Sequence, residues 1–384
     1  MQGVTVNDVQ PDTRGVKRKR KKGHIDYNLL VVVCILMAFG LVMVYSSSYF
    51  TASISRAAGY DPAFYLKHQA IFSIVGLGVA IFVSFIDYHF WYNKSWFLYI
   101  FVIALMVWTL IAGNEINGAK RWITLFGITF QPSEIAKVAI ILSLAKLLKM
   151  NYKRLNQFPK LLVICAYVAV PVALAGIENL SSAVIMAGII GVMLFFALPK
   201  LRHVLYLGAM AGVALFIIYQ AKDYRQNRFD EWANGGDGLT GAVTQSSAAI
   251  NAIGSGGLFG KGIGQSLQKM GTLSEAHNDM IFSIICEEFG FIGGVGVILL
   301  FVVLVYRMFR IVVNSYDLYG ALIVVGVMTH IGLQALVNVA VVTGVIPNTG
   351  VTLPFISYGG TSLLFLFGEI GLVLSVAKSM FKEG

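Results

Sequence analysis

Residues with the potential for chemistry stand at the start of an apolar run late in the sequence. Asp279 directly precedes this run, and Ser283 and Glu287 follow at intervals of four residues, which places all three on one face of a helix. A carboxylate at this position can cap the helix and complement its dipole. It can also accept a proton from a substrate hydroxyl as a general base. The residues alone leave both interpretations open.

Positive charge marks a second cluster, which begins at Arg121. It continues with Gln131, Pro132, Glu134 and Lys137. Pro132 suits the first turn of a helix, and Glu134 and Lys137 are three residues apart and can pair. One interpretation is an ion pair that only fixes the position of a helix in a membrane. The other is that Arg121 and Lys137 supply positive charge to an anionic substrate.

A third cluster lies near the end of the chain, at residues 349–362. Glycine and proline are too frequent there for a straight helix, and irregular backbone at membrane depth is tolerated only where it is buried or lines a cavity. In the preceding apolar run, His330, Gln334 and Asn338 repeat every four residues and form a polar stripe. Such a stripe predicts hydrogen bonds between helices, with a ligand site as the alternative.

The longest non-apolar segment, residues 221–278, contains a glycine-rich stretch at 254–264. A phosphate-binding loop needs a glycine six residues before its lysine and a serine or threonine after it. Around Lys261 these positions hold Ser255 and Gly262, so the motif is absent. The segment is either a flexible loop or a loop that folds back over a cavity. Gln245 and Ser246 are solvated in the first case and line the cavity in the second.

The elements that must position these clusters are membrane-spanning helices. Apolar residues make up 57% of the chain and charged residues 12%, which leaves too little polar surface for a soluble domain. The sequence therefore predicts an all-α polytopic membrane protein with about ten transmembrane helices of about 20 mostly apolar residues each. The predicted spans are residues 28–49, 69–86, 96–112, 134–149, 160–176, 181–198, 203–220, 279–306, 318–345 and 360–380. A large extracytoplasmic loop, residues 221–278, separates the seventh span from the eighth.

Lysine and arginine in short loops predict the orientation of the chain. Most of these 29 residues fall in segments that are cytoplasmic when the N-terminus is inside. Residues 1–27 and 381–384 are therefore predicted to be cytoplasmic tails, and residues 28–380 the transmembrane domain. The basic run from Lys17 to Lys22 has the composition of a nucleic-acid-binding patch. Beside a membrane span, attraction to anionic lipid is favoured, so no nucleic-acid partner is expected.

Four motifs occur in order along the chain. They are Arg121-Trp122-Ile123 with Gln131 to Lys137, then Ala252 to Gly262, then Asn278 to Phe282 with Glu287-Glu288-Phe289-Gly290, and finally Leu353 to Ser362. With these motifs the chain resembles the SEDS family (shape, elongation, division and sporulation), which includes FtsW, RodA and SpoVE, over about residues 28–380. Residues 265–269 and 275–277 are more similar to the FtsW-like division members than to the RodA-like elongation members.

The resemblance implies polymerisation of peptidoglycan glycan strands. The implied substrate is lipid II, a disaccharide-pentapeptide on undecaprenyl diphosphate, in the outer leaflet of the bacterial cytoplasmic membrane. The implied reaction is attack by the 4-hydroxyl of an acceptor GlcNAc on C1 of the donor MurNAc, with inversion and release of the lipid diphosphate. No nucleotide is required, because the diphosphate bond supplies the driving force.

The resemblance also implies roles for individual residues. Asp279 matches the family's essential aspartate and is expected to be the general base. Arg121, Lys137 and a divalent cation, Mg²⁺ or Mn²⁺, are candidates to stabilise the departing diphosphate, with Glu134 orienting Lys137. The other expected substrate-binding residues are Gln131, Ser357, Lys261, Gln245 and Ser246.

One position departs from the family pattern. Many relatives carry an aspartate at the start of a helix where this chain has Asn179, followed by Leu180-Ser181-Ser182. An asparagine lacks the charge for a metal or diphosphate role at that position.

Partners and location follow from the resemblance as well. A class B penicillin-binding protein, a single-span transpeptidase, is expected to crosslink the strands as they form, alongside other division proteins at the septum. Two further interpretations stay open: an elongation polymerase of the RodA type, and a lipid II flippase, which needs no carboxylate at the outer face. A catalytically silent scaffold of a division complex is the remaining alternative.

Overall fold

Helices account for most of the described chain. The computed structural model describes residues 26–116, 119–125, 127–198, 200–220, 232–233, 245–270, 273 and 275–380. The helices are α1 (Tyr27–Ile54), α2 (Phe64–Phe85), α3 (Tyr88–Ala112), α4 (Pro132–Asn151), α5 (Phe158–Glu178), α6 (Leu180–Ala197), α7 (Leu201–Gln220), α8 (Gln245–Ser255), α9 (Ile281–Val313), α10 (Leu318–Val342) and α11 (Thr361–Ala377).

The all-α membrane fold predicted from the sequence is confirmed. Each of the ten predicted spans coincides with a helix, in the order α1 to α7 and then α9 to α11. Within the described residues, seven helices are long and apolar enough, by length and composition, to cross a membrane: α1, α2, α3, α5, α6, α9 and α10. The short helix α8 lies inside the segment that the sequence predicted only as a loop.

Polar residues at the helix starts account for several boundaries. Asp26, Asp87, Asn179 and Asp317 each precede a helix and accept a hydrogen bond from a backbone N–H of its first turn. These N–H groups have no partner within the helix, so a side-chain oxygen there stabilises the end. Pro132 begins α4, as its position in the sequence predicted.

Helix α10 is the central helix. Over the 18 residues of its most apolar stretch, 72% are buried inside the protein, whereas 28% are buried in the corresponding stretches of α2, α3 and α9. Helix α10 contacts α4, α6, α9 and α11, whereas α2 packs along α11. Polar residues on a helix so enclosed must find partners within the protein.

A small antiparallel sheet lies between α3 and α4. Its strands are β1 (Asn114–Ile116), β2 (Ala119–Leu125) and β3 (Ile128–Phe130), in the order β1-β2-β3. Strand β2 contacts α3, α4 and α5, and the Thr361 hydroxyl at the start of α11 donates to the Thr129 carbonyl at 3.1 Å. The sheet therefore fixes the segment that carries Arg121 beside the helix ends.

Helix α9 is broken at Gly290, and a second segment fills the break. Gly290 has φ 69° and ψ −168°, which interrupts the helical hydrogen bonds. Residues 257–262 lie against the break: the N–H groups of Lys261 and Gly262 donate to the carbonyls of Glu287 and Glu288 at 2.9 and 3.0 Å. In return, the N–H groups of residues 291 and 292 donate to the carbonyls of residues 257 and 258 at 2.9 and 3.2 Å. The glycine-rich stretch is thus a folded segment on α9, which we call the clamp segment (residues 256–270).

Candidate active site

Asp279 lies in the turn before α9 and is only 8% exposed. Met280, not Asp279, occupies the N-cap position of that helix. The side-chain amide of Asn338 on α10 donates to the Asp279 carbonyl at 2.6 Å and to the Val351 carbonyl at 2.7 Å. Gly350 lies beside the Asp279 carboxylate, since a Cβ built on it would be 3.7 Å from Oδ2. The backbone of Asp279 is therefore fixed against residues 349–351.

The segment between α10 and α11, residues 349–360, forms one wall beside Asp279. The Tyr358 N–H donates to the His277 carbonyl at 2.9 Å, and Ser181 of α6 donates its hydroxyl to the Thr349 carbonyl at 2.7 Å. The predicted substrate residue Ser357 is buried, and its hydroxyl oxygen accepts from the Leu353 N–H at 2.8 Å. These bonds satisfy irregular backbone in the interior, as the sequence required of this segment.

Lys137 is buried in the first half of α4, with an exposed fraction of 2%. Its ammonium lies 2.8 Å from Glu134 Oε1, which confirms the predicted pairing within one helical turn. It also donates to Gln334 Oε1 of α10 at 3.4 Å. Gln131 stands at the N-cap of the same helix without a capping side-chain bond. The pair thus lies between α4 and the central helix.

Arg121 lies on β2 and is half-buried. Its Nε is buried, and within the described residues it has no hydrogen-bond partner. A guanidinium carries five donors in a planar fork that matches phosphate and carboxylate oxygens. A buried N–H of this kind is a donor that an anionic ligand can satisfy.

Two predicted residues, Gln245 and Ser246, begin α8. Asn348 donates its side-chain amide to Gln245 Oε1 at 2.8 Å, and the Gly350 N–H donates to Asn348 Oδ1 at 3.1 Å. Gln245 is therefore joined through Asn348 to the wall that also contacts Asp279. Ser246 is half-buried on the same short helix.

Lys261 is placed differently from the other predicted substrate residues. It lies on the clamp segment, with its ammonium 2.8 Å from Glu287 Oε1, and it also donates to the Ser255 hydroxyl at 2.8 Å. A second clamp lysine, Lys269, lies 2.7 Å from Glu288 Oε1. The two adjacent glutamates of α9 thus each bind one lysine of the clamp segment.

Sequence reasoning missed an aromatic cluster next to Asp279. The ring of His277 lies 4.3 Å from that of Tyr65 and 5.7 Å from that of Tyr358, and the two tyrosine rings are 5.0 Å apart. Burial lowers the pKa of His277 below its ordinary value, and the nearby Glu275 carboxylate partly opposes this shift. A neutral imidazole is therefore the favoured form beside Asp279.

The sequence of this chain matches a family of known proteins. The family model of the FtsW, RodA and SpoVE proteins, described as cell cycle proteins, matches residues 26–382. The chain belongs to this family. It is 37% identical over 374 residues to a probable peptidoglycan glycosyltransferase FtsW of Geobacter sp. (strain M18), covering 94% of this chain and 99% of the relative. Stage V sporulation protein E of Bacillus subtilis (strain 168) is 36% identical over 367 residues, covering 93% and 98%.

Solved structures agree with this membership. A chain from a study of the structural coordination of polymerization and crosslinking by a peptidoglycan synthase complex matches with a TM-score of 0.73 and 27% identity, covering 94% of this chain and 99% of that one. The rod shape determining protein RodA of Thermus thermophilus matches with a TM-score of 0.66 and 28% identity, covering 94% and 98%. The SEDS resemblance and its FtsW-like character are confirmed.

The position where this family member departs from the predicted pattern has a structural role. Asn179 caps α6, its Oδ1 accepting from the N–H groups of Ser181 and Ser182 at 3.1 and 3.4 Å. Ser181 in turn bonds Thr349 of the wall beside Asp279. An asparagine performs this capping without a charge.

A divalent cation at this site would need oxygen or nitrogen ligands. Among the described residues no group of three or more His, Cys, Asp or Glu side chains is arranged to hold a metal ion. Mg²⁺ is commonly held by one or two carboxylates together with substrate phosphates. The described side chains therefore do not fit a cation site built from protein ligands alone, and a cation at this site would depend on the oxygens of the substrate diphosphate.

Proposed function

We propose that this protein polymerises lipid II into glycan strands at the outer face of the bacterial cytoplasmic membrane, as an FtsW-like peptidoglycan glycosyltransferase. Family membership and the names of its relatives support the glycosyltransferase class. The observation that carries the proposed mechanism is the placement of Asp279, which Asn338 ties to a wall of irregular backbone beside the start of α9.

Asp279 acts as the general base in this proposal. Its carboxylate accepts the proton of the acceptor GlcNAc 4-hydroxyl as the oxygen forms a bond to C1 of the donor MurNAc. The bond from C1 to the lipid diphosphate breaks on the opposite face, so the configuration at C1 inverts and undecaprenyl diphosphate leaves with the electron pair. The reaction needs Asp279 ionised and close to a hydroxyl, and the turn before α9 holds it at a helix end, not within one.

Positive charge near the departing diphosphate comes from Lys137 and Arg121. Lys137 is paired with Glu134, which orients its ammonium, and Arg121 offers a buried Nε. Groups held in place before the reaction stabilise developing charge more effectively than water, which must reorganise. Gln131, Ser357, Gln245 and Ser246 are proposed to line the path of the substrate, and Lys261 is proposed as a more distant contact. A divalent cation held by the diphosphate oxygens would add positive charge there.

The orientation and location belong to the same proposal. With the N-terminus in the cytoplasm, Asp279, Arg121 and residues 349–360 all face the side where lipid II is presented. The chain is a multi-pass membrane protein, and the FtsW-like motifs favour the division septum as its place of action. Domain bounds of 28–380 for the membrane domain and 221–278 for the extracytoplasmic loop are proposed with this orientation.

We also infer a transpeptidase partner. One matching structure comes from a peptidoglycan synthase complex that coordinates polymerization and crosslinking. Newly formed strands must be crosslinked, and a class B penicillin-binding protein in complex with this chain, together with other division proteins, would couple the two steps.

The deciding experiment is polymerisation of labelled lipid II by the purified protein and its transpeptidase partner in detergent, where no second leaflet exists. Wild type is expected to form glycan strands and Asp279→Asn none. Asp61→Asn is the matched control, because Asp61 is an exposed carboxylate between α1 and α2 that pairs with Lys67; this variant should polymerise normally. Failure of the wild-type complex to form glycan would support a flippase, and normal activity of Asp279→Asn would refute the proposed base.

A further inference from the structure

The polar stripe of α10 is enclosed within the protein. His330, Gln334 and Asn338 are exposed by 2%, 4% and 0%, and each bonds a residue of another segment. The sequence left a choice between interhelical bonding and a ligand site. His330 and Gln334 bond other helices, through Glu369 of α11 and Lys137 of α4, whereas Asn338 bonds the turn before α9 and the wall. Gln334 and Asn338 thereby contact the two charged residues of the proposed active site, Lys137 and Asp279.

Asn338 is the last residue of the stripe, one turn before the end of α10, and it holds the backbone of Asp279. Its two amide protons reach the carbonyls of Asp279 and Val351 at 2.6 and 2.7 Å. Both acceptors are backbone oxygens, which cannot donate, so the amide orientation is determined. One neutral side chain therefore fixes the positions of the Asp279 backbone and of Val351 in the wall relative to α10.

Gln334, one turn away, holds Lys137. Its amide nitrogen donates to the carbonyl and the hydroxyl of Thr352 at 3.1 and 3.2 Å, so its oxygen is the atom that faces Lys137. The same oxygen lies 2.8 Å from Nε2 of His330. Because an amide oxygen only accepts, Nε2 of His330 must carry a proton.

The proton on Nε2 determines how His330 bonds Glu369. Nδ1 of the imidazole lies 2.7 Å from Glu369 Oε2, and both side chains are buried. This bond holds one proton, on the carboxyl or on Nδ1, so the pair has no net charge in either case. The bond to Glu369 fixes the orientation of the His330 ring, and the bond from Nε2 fixes the position of the Gln334 oxygen.

We propose that α10 is the positioning element of the active site, with Asn338 placing the base and Gln334, backed by His330 and Glu369, placing the lysine. This inference rests on the proposed function of Asp279 and Lys137. None of the four contacts the reacting atoms, so they are positioning residues. Both arms bond the wall, at Val351 and Thr352, but they end on different charged residues. Asn338 is therefore expected to act mainly on catalysis through Asp279, and Gln334 mainly on diphosphate binding through Lys137.

The test measures two quantities on the purified complex: kcat for lipid II polymerisation and the Kd for undecaprenyl diphosphate. Asn338→Leu should lower kcat at least about tenfold and leave the Kd within about twofold, since a small displacement of a base is costly. Gln334→Met has nearly the same shape but no hydrogen-bonding atoms. It should raise the Kd about five- to tenfold, since Lys137 loses a charge-assisted bond.

Three further variants guard against a purely structural explanation. Glu369→Gln can still donate to Nδ1 and should keep a Kd near that of wild type, whereas Glu369→Met should raise it as Gln334→Met does. Ser375→Ala is the matched control, because Ser375 is a buried residue of the same helix that donates to the Ile86 carbonyl at 2.6 Å and lies outside the chain of bonds to Lys137. This control should leave both quantities unchanged.

Equal changes of kcat and Kd in the Asn338 and Gln334 variants would overturn the proposal, as would a normal Kd in both Gln334→Met and Glu369→Met. If Gln334→Met is not recovered folded, the two Glu369 variants decide by the same criterion. The proposed function is tested apart from this: wild type must polymerise and Asp279→Asn must not. A normal Kd in both Gln334→Met and Glu369→Met beside those results overturns the positioning role alone.

Discussion

The clamp segment and the wall at residues 349–360 bind their neighbouring acidic residues through different groups. Both are irregular backbone packed against helices, and both adjoin carboxylates. On the clamp side, Glu287 accepts from Lys261, Ser266 and the Leu267 N–H, and Glu288 accepts from Lys269 and Ser46. On the wall side, the neutral amide of Asn338 holds Asp279 through its backbone carbonyl.

If Asp279 is the base proposed above, this difference separates carboxylates that hold the fold together from the carboxylate that reacts. A buried carboxylate that is bound by a lysine and hydroxyls is held in one place, and the loss of its partner leaves a costly unpaired charge. Asn338 instead binds the backbone carbonyl of Asp279, so this bond positions the residue without occupying its carboxylate. Substitutions in the clamp segment should therefore lower the free energy of unfolding, and substitutions at Asp279 and its wall should lower the rate of catalysis.

The largest effect on stability is expected at the Lys269–Glu288 pair. Lys269 is 4% exposed and lies 2.7 Å from Glu288, so Lys269→Met leaves a buried charge without its partner. Loss of one partner of a buried pair typically costs about 3–5 kcal/mol. The free energy of unfolding in detergent should fall by that amount, and the double variant Lys269→Met/Glu288→Met should regain much of it. A loss in the double variant as large as that in Lys269→Met would contradict the clamp interpretation.

A substitution at Gly290 should come next. Its φ of 69° is unfavourable for other residues, and a Cβ would collide with the Leu258 carbonyl and the Gly260 nitrogen of the clamp segment. Gly290→Ala is expected to lower the free energy of unfolding by about 1–3 kcal/mol. Gly296→Ala is the control, because it lies in the same helix and a Cβ there meets open space. Equal unfolding midpoints for the two variants would show that the clamp segment does not depend on the close approach at Gly290.

Lys261→Met distinguishes the two interpretations of that lysine. Lys261 is 31% exposed, so solvent screens its pair with Glu287 and the loss of stability should be about 1 kcal/mol, smaller than for Lys269→Met. If its role is in the clamp alone, the polymerisation rate per folded molecule should stay unchanged. A raised Kd for lipid II with an unchanged unfolding midpoint would instead support the predicted substrate role.

The smallest effect is a dependence of stability on pH through His277. Its pKa in the folded protein is lowered from an ordinary value of 6.5 by burial, so the unfolded chain binds a proton first as the pH falls. The stability that His277 contributes is therefore full above pH 6.5 and declines as the pH falls below it. Unfolding midpoints at pH 7.5 and 5.5 should differ more for wild type than for His277→Gln. An equal difference for both would contradict the burial effect.

The sequence predicts the helices well and their partners poorly, for a physical reason. Long apolar runs report membrane spans directly, and the spacing of Glu134 and Lys137 reports a pair within one turn. The bonds of Ser46 to Glu288 and of His330 to Glu369 join residues 242 and 39 positions apart, and no periodicity reports them. The strands β1 and β3 have three residues each, too few to show alternation.

Lys261 illustrates what local sequence leaves out. The resemblance to the family implies a substrate-binding role for this lysine, and that role stays a prediction. Its ion-pair partner in the structure is Glu287, 26 residues later, reached because the stretch folds onto the break in α9. The break depends on the positive φ of one glycine, which the sequence does not reveal by itself.

The measurement that tests the central claim most directly is a single turnover of labelled lipid II by Asp279→Asn, with binding of lipid II measured on the same sample. If Asp279 is the general base, the rate should fall at least about 100-fold while the Kd for lipid II stays within about threefold of wild type. A rate within threefold of wild type would contradict the account.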